Sequence, residues 1–169
     1  MEIVEFGPLT PELRAELEGD EADPFDAAGE VLQFRPKDRH LALQGDDGRL
    51  IASTGFVVVE AEVAAARFEV VGIGGVIVNQ AYRGRGYARQ VVEAAVARAR
   101  EFGPAFALLF CFESRAGLYR RLSFTDIPDE VLVKQPAGYA RMDEHAMWRA
   151  LRPGAAWPAG RVTLHSLPF

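Results

Sequence analysis

Residues 76–89 read VIVNQAYRGRGYAR, a stretch in which an apolar strand ends at a short turn rich in glycine and arginine. Small apolar residues then recur at helical spacing up to residue 99, so the pattern predicts a helix directly after the turn. The first amides of a helix have no partner inside it, and the helix dipole adds partial positive charge there. We therefore predict a cradle for the pyrophosphate of a nucleotide-bearing ligand. Its residues are Arg83, Gly84, Arg85, Gly86, Tyr87, Ala88 and Arg89.

Two common nucleotide-binding motifs do not fit this stretch. A dinucleotide fingerprint needs a glycine or alanine three residues after its second glycine. That position is Arg89 after Gly86, and it is Ile77 after the alternative Gly74. A phosphate-binding P-loop needs a lysine followed by serine or threonine, and the chain has no such pair. Both classes of site are therefore excluded.

The spacing Arg83-x-x-Gly86-x-Ala88 matches the motif Q/R-x-x-G-x-G/A, and residues 35–125 resemble the GNAT superfamily of acyl-CoA-dependent N-acyltransferases. The predicted order, strands first and then strand–helix–strand–helix, independently indicates an α/β domain with a mixed sheet. The resemblance implies the GNAT form of this α/β (α+β) fold, with a mostly antiparallel central sheet flanked by helices and split between its fourth and fifth strands. It also implies a single domain over residues 1–169, with acetyl-CoA as cosubstrate and no metal.

Local patterns place the other elements along the chain. A first helix is expected from Thr10-Pro11-Glu12 to Gly19, because a capping hydroxyl, a proline and an acid stand at its start. Glycines at 72, 74 and 75 predict a bulge in a long strand. Further helices are predicted at 25–30, 86–101 and 114–122. Strands are predicted at 39–44, 50–60, 67–78, 106–112 and 131–135, and another begins at 124. Residues 145–151 and 161–167 are predicted to be ordered, and residues 136–143 to be irregular.

Composition narrows the class of protein. A chain of 169 residues is one domain's worth. Its net charge of −5 disfavours nucleic-acid binding, yet residues 65–125 hold 9 basic and 4 acidic side chains, which suits a phosphate-rich ligand. The N-terminus does not read as a secretory signal and the apolar runs are too short for a membrane span. The single cysteine, Cys111, fits a reducing compartment, so we expect a cytoplasmic protein that does not bind membranes.

The glycine-broken strand is predicted to hold the acyl chain. If a bulge frees one edge of the strand, its amides and carbonyls can pair with the pantetheine arm as an added strand would. The resemblance assigns this role to the three residues that end eight before Gly86, which are Val76, Ile77 and Val78. One of their amides would also stabilise the oxyanion of the tetrahedral intermediate.

Tyr119 is predicted to protonate the departing thiolate. Residues 116–124 read AGLYRRLSF and resemble the second GNAT signature, A-x-x-L/F-Y-x-x-x-G-F, whose tyrosine is the usual general acid. A phenol with a pKa near ~10 is protonated at neutral pH and well matched to this task. The chain departs from the family pattern at Glu113, where asparagine is common, and at Ser123, where glycine is common.

The general base has several candidates. The resemblance implies a carboxylate on the central strands that works through water, and Glu69 and Glu113 fit best, with Glu60 as a lesser candidate. The carboxylate of Phe169 is a further option, because the apolar segment 164–169 can end beside the cleft. Cys111 lies in an apolar run without a neighbouring histidine, so it is interpreted as a buried structural residue. The three histidines show no metal-ligand spacing.

The acceptor is predicted to be a small cationic amine, because the region that walls the acceptor site in this superfamily is rich in acids here. Those acids are Glu12, Glu16, Glu18, Asp20, Glu21, Asp23 and Asp26. Residues 157–160 and 166–169 resemble the branch that contains aminoglycoside 2'-N-acetyltransferases. An acyl-CoA sensor of the same fold without turnover is the alternative function. The resemblance also implies that exposed strand edges can pair two chains into a homodimer, and it leaves the oligomeric state open.

Overall fold

Ten strands form one mixed sheet in the computed structural model, which describes all of residues 1–169. The strands are β1 (Glu2–Phe6), β2 (Arg39–Gln44), β3 (Leu50–Val63), β4 (Ala66–Val78), β5 (Phe106–Cys111), β6 (Thr125–Asp126), β7 (Val131–Gln135), β8 (Gly138–Arg141), β9 (His145–Ala150) and β10 (Val162–Leu164). The helices are α1 (Pro11–Glu18), α2 (Tyr87–Ala99) and α3 (Glu113–Arg121). No helix is long and apolar enough to cross a membrane.

The sheet is mostly antiparallel, and its order is β6-β9-β5-β4-β3-β10-β7-β8. The long strand β3 pairs with β4 along one edge, while its other edge pairs first with β2 and then with β10. β1 adds to the outer edge of β2. Only the β4–β5 and β7–β10 pairs are parallel. The predicted mixed α/β fold is confirmed.

The sheet is split between β4 and β5, as predicted. Their parallel pairing covers only Val71–Ala107 and Gly72–Leu108. A bulge follows on β4, because the register with β3 shifts where Thr54 stands alone opposite two residues. Gly75 takes a positive φ of 63° at this bulge, a conformation that glycine adopts without strain. The split leaves one edge of β4 free beyond Gly72.

Two apolar cores cover the two faces of the sheet. On one face, α2 packs on β2, β3 and β4 and α3 packs on β6 and β9, with Val92, Val96 and Tyr119 among the buried residues. On the other face, β7 and β10 curl over the sheet, and Phe169 and Phe110 belong to that core. The ring of Phe169 fills the space beside Gly72, so the end of the described chain wedges the two strands apart.

Most predicted elements are present, with boundaries that move by one to three residues. Three predictions need correction. The helix predicted at 25–30 is absent, since Asp26 has a positive φ of 53° and the Asp23 carboxylate accepts the amides of Ala27 and Ala28 at 2.8 Å, which stabilises a turn. β1 was not predicted, and β8 replaces part of the segment predicted to be irregular.

Candidate active site

The turn before α2 is exposed and open. Gly84 and Gly86 have φ values of 78° and 81°, and no atom lies within 4 Å of the point where a Cβ would stand on either residue. The first backbone hydrogen bond at the start of α2 runs from the amide of Gln90 to the carbonyl of Gly86, at 3.2 Å. The amides before Gln90 therefore remain available at the positive end of the helix dipole. This geometry suits an anion that lies against the backbone.

The three arginines of the turn differ in their present partners. Arg83 donates from both terminal nitrogens to the carboxylate of Glu21, with Nη1–Oε1 at 3.0 Å, so its charge is already neutralised. Arg85 is exposed, and its guanidinium lies 5.8 Å from the centre of the Tyr82 ring. Arg89 pairs with an acid one turn further along α2. Arg85 is thus the cation least engaged by the protein itself.

The free edge of β4 runs from the bulge towards this turn. Val76 and Val78 are half-buried and Ile77 is buried. Ile77 and Val78 pair with β3, Val76 belongs to the bulge, and none of the three pairs with β5. The carbonyl of Val78 accepts a hydrogen bond from Nε of Arg83 at 3.1 Å. Thr54 fixes the bulge, because its hydroxyl donates to the carbonyl of Gly74 at 3.1 Å. An extended amide-rich ligand can pair with the unoccupied edge as an added strand.

Tyr119 lies on the face of the sheet that α2 and α3 cover. Its ring is 8% exposed and packs edge-on against Phe124, with ring centres 6.0 Å apart. Burial raises the pKa of this phenol, and the thiol of Cys111 adds to the effect. The hydroxyl therefore keeps its proton throughout the neutral range.

Glu113 belongs to a charged cluster at the end of β5. Its carboxylate contacts Nε2 of His145, and Nδ1 of the same ring lies 3.4 Å from Asp126. Arg120 donates to both oxygens of Asp126, at 2.9 and 3.0 Å, and lies 3.8 Å from Glu113. The Arg120 guanidinium, with a smaller effect from His145, lowers the pKa of Asp126. The cluster therefore brings two carboxylates, an imidazole and a guanidinium together at the end of β5.

The structure does not bring Glu69 or Glu60 to the split. These two residues are cross-strand partners in the β3–β4 ladder, and both are exposed. Glu69 precedes Gly75 by six residues along an extended strand, which is a distance of about 20 Å. The carboxylate of Glu60 instead pairs with Arg67 at 3.1 Å. Both carboxylates therefore lie at the other end of the β3–β4 ladder from the bulge.

Phe169 ends beside the split, where the sequence placed it as one option. Its ring packs against Phe110 at 5.3 Å between ring centres. Its carbonyl oxygen lies 2.8 Å from the point where a Cβ of Gly74 would stand. Cys111 is buried, and burial raises its pKa to about 12, so a reactive thiolate is not available there. No group of three histidine, cysteine or acidic residues is arranged to hold a metal ion.

An acidic cleft of about 660 Å³ adjoins the end of β5. Of the seven acids predicted to wall the acceptor site, only Asp26 lines it. The others are exposed or bound elsewhere: Glu21 binds Arg83, and Glu16 accepts the amide of Leu50 at 2.9 Å. The negative lining comes instead from residues distant in sequence. The acidic residues of the cleft are Asp26, Glu30, Glu113, Asp143 and Glu144.

Two residues at this site were missed from sequence. His145 was dismissed for lack of metal-ligand spacing, but it joins Glu113 to Asp126. Lys37 was not considered, although its side chain ends beside Gly74 and Gly75 on β4. The sequence does contain a signal for Lys37, because lysine is rare in this chain: the only other one is Lys134.

Comparisons with known proteins identify the family of the chain. The family described as "Acetyltransferase (GNAT) domain" matches residues 26–126. A search of curated proteins gave no match.

Solved structures share the fold at low identity. YhbS from Escherichia coli, a GNAT family N-acetyltransferase in complex with CoA, is 21% identical to this chain, with a TM-score of 0.61. The match covers 97% of this chain and 89% of the YhbS chain. A GNAT family acetyltransferase from Brucella melitensis, in complex with acetyl-CoA, is 17% identical with a TM-score of 0.57, covering 97% and 96%. A putative acyl-CoA N-acyltransferase from Klebsiella pneumoniae is 16% identical with a TM-score of 0.59, covering 89% and 97%.

Proposed function

The chain belongs to the GNAT acetyltransferase family and is an N-acetyltransferase, and from this premise we propose that it acetylates a primary amine on a small cationic acceptor by direct attack on acetyl-CoA. The observation that carries the proposal is the continuity of the free edge of β4 with the open turn before α2. A ligand with an amide-rich arm and a pyrophosphate can lie along both at once. Structures of this fold from Escherichia coli and Brucella melitensis contain CoA or acetyl-CoA.

The cosubstrate is held by backbone rather than by side chains. The pyrophosphate lies on the amides of residues 84–89, with Arg85 beside it. The pantetheine arm pairs with Val76–Val78, which places the thioester at the bulge next to Gly75. An amide at the bulge then donates to the thioester oxygen, and the same donor stabilises the oxyanion that forms during attack.

Two groups manage the protons. The acceptor must lose a proton before its nitrogen can attack, and Glu113, joined to His145, takes it directly or through water. Tyr119 donates a proton to the departing thiolate; burial keeps its phenol protonated and also makes it a weaker acid than a phenol in water.

The acceptor enters through the acidic cleft at the end of β5. Burial raises the pKa of Glu144, and repulsion from the nearby Glu30 adds to the effect. Five acidic residues line this cleft. A cation that enters this cleft relieves that repulsion and gains the attraction of the other carboxylates. Acceptors with two or more amino groups, aminoglycosides among them, are therefore expected to react faster than neutral or acidic amines.

Calorimetry with CoA and a thiol-release assay over a panel of amines test this function together. We expect the wild-type protein to bind CoA. Arg85→Ala should weaken CoA binding by up to about tenfold, because a charge near the pyrophosphate is lost. Arg100→Ala, at the far end of α2, should leave the affinity for CoA unchanged. Turnover should be fastest with polyamines and should fall as salt is added. Binding without turnover on any amine would instead identify a sensor, and absence of CoA binding would contradict the proposal entirely.

A further inference from the structure

Lys37 occupies a groove that three glycines create. A Cβ on Gly55 would stand 2.6 Å from Cβ and 2.7 Å from Cγ of the lysine, which is closer than real atoms approach. On β4, a Cβ on Gly74 would stand 3.2 Å from Cε, and one on Gly75 would stand 3.3 Å from Nζ. Any larger residue at these positions would displace the lysine. The groove therefore fits this side chain along its whole length.

The backbone around Lys37 is fixed at both ends of a short segment. The amide of Arg35 donates to the carbonyl of Pro168 at 2.8 Å, and the amide of Asp38 donates to the carbonyl of Phe56 at 3.1 Å. These bonds tie the segment to the end of the described chain on one side and to β3 on the other. The ammonium is thereby directed at the β4 bulge rather than free to sample the surface.

The surroundings favour the neutral amine. Burial, with a smaller repulsion from Arg14, lowers the pKa of Lys37 to about 8. His40, which also lies against Gly55, has its own pKa lowered by burial and is neutral near pH 7. The backbone oxygen of Phe169 lies on the same side of Gly74 as the lysine, since a Cβ on Gly74 would stand 2.8 Å from this oxygen and 3.2 Å from Cε of Lys37, and it can accept a hydrogen bond from the amine. Close to a tenth of Lys37 is therefore unprotonated near pH 7, far more than for an exposed lysine.

We propose that Lys37 is itself an acetyl acceptor, so that the protein acetylates its own side chain at the split between β4 and β5. The inference rests on the proposed function, because it requires acetyl-CoA on the free edge of β4. The lone pair of Nζ attacks the thioester carbonyl carbon, a C–N bond forms, and the C–S bond breaks. The nitrogen loses one proton and the departing thiolate gains one, so the products are an acetamide on Lys37 and the free thiol of CoA.

The second lysine provides a control within the same chain. Lys134 lies exposed on β7, away from the split, and it competes for acetyl-CoA under identical conditions. Reaction inside the groove selects Lys37, whereas unassisted reaction with acetyl-CoA in solution would modify both lysines and the N-terminal amine. Acetylation also removes a positive charge from the acceptor side of the split, so modified protein should transfer acetyl groups to added amines at a changed rate.

Peptide mass spectrometry of the protein incubated with acetyl-CoA tests this. We expect one added acetyl group on Lys37 and at least about tenfold less on Lys134, a preference that follows from the proximity of the reacting groups. The rate should rise with pH up to about 8 and should be independent of protein concentration, because the reaction is intramolecular. Lys37→Arg should bind CoA but remain unmodified, and chain unfolded in urea should lose the preference between the lysines.

The failures of the two proposals are distinguishable. If calorimetry shows CoA binding while Lys37 stays unmodified, or is modified no faster than Lys134, this inference is overturned and the proposed function stands. If CoA does not bind, the proposed function is overturned as well. Mapping of the wild-type protein decides the matter even where Lys37→Arg does not fold.

Discussion

At Tyr119, the buried environment changes the acidity of a single residue. Removing the phenol from water raises its pKa, which keeps the hydroxyl protonated at neutral pH and makes it a weaker acid. The ring packs against Phe124, so its orientation is set by the core rather than by a hydrogen bond of its own hydroxyl.

Replacing Tyr119 with phenylalanine should therefore separate chemistry from binding. We expect kcat to fall by about 100-fold, the usual contribution of a general acid, while calorimetry shows unchanged affinity for CoA. Tyr139→Phe makes the same chemical change on the exposed strand β8 and should keep full activity. In the wild type, Tyr119 should cause no loss of kcat between pH 7 and about 10, because a raised pKa places its ionisation above that range. Equal rates for Tyr119→Phe and the wild type would remove this residue from the mechanism.

At this scale the sequence predicted residue types better than residue partners. The glycines of the turn are open as predicted, because local spacing determines where a helix starts. Arg83 was predicted as a ligand for the pyrophosphate, yet it is held by Glu21, which lies 62 residues earlier. Glu113 was identified, but its link to His145 was not. Such partners are set by how distant segments meet, which no local pattern records.

Among the elements, β4 connects fold to function. It pairs with β3 over most of its length, but it pairs with β5 only at Val71 and Gly72, and one edge is free beyond Gly72. The change occurs at Gly72, where the Phe169 ring occupies the space that a side chain would need. The absence of a side chain at Gly72 thus leaves room for the Phe169 ring at the point where β4 and β5 separate.

A methyl group at this point should disturb the wedge. The Cβ of Gly72→Ala would stand 2.5 and 2.6 Å from Cε2 and Cε1 of Phe169, and we expect a loss of about 1–3 kcal/mol in the free energy of unfolding, as for other overpacked cores. Urea unfolding followed by circular dichroism measures it. Gly117→Ala in α3 meets only the flexible end of Arg121 at 3.7 Å and should instead stabilise by about 0.5–1 kcal/mol. If Gly72→Ala were as stable as the wild type, the ring would not be seated as described.

Helices and central strands were predicted well because their periodicity is strong. The failures share a physical cause. β1 is an edge strand with a weak burial pattern, and its place is fixed only by pairing with β2 some 35 residues or more later. β8 exists because β7 is there to pair with it. Where a helix was predicted at 25–30, the chain forms a local turn that the Asp23 side chain stabilises.

Across the whole molecule, acidic and basic residues are distributed unevenly along the sequence, and ion pairs between distant segments partly balance them. Acids of the first sixty residues pair with arginines of the central region, as Glu5 does with Arg98 at 2.8 Å and Glu21 with Arg83. Exposed pairs of this kind contribute little to stability. Their larger effect is to leave Arg85 as the one arginine of the turn without an ion pair, while acidic residues line the cleft at the end of β5. One side thus suits a polyanionic cosubstrate and the other a cationic acceptor.

The central claim is that CoA lies along residues 76–78 and 84–89. The most direct test is an NMR titration of the ¹⁵N-labelled protein with CoA, in which every backbone amide reports on its own surroundings. The account predicts that the largest shift changes fall on the amides of Gly84–Arg89 and Val76–Val78, with little change in β7 and β8. Changes concentrated elsewhere, or none at saturating CoA, would contradict it.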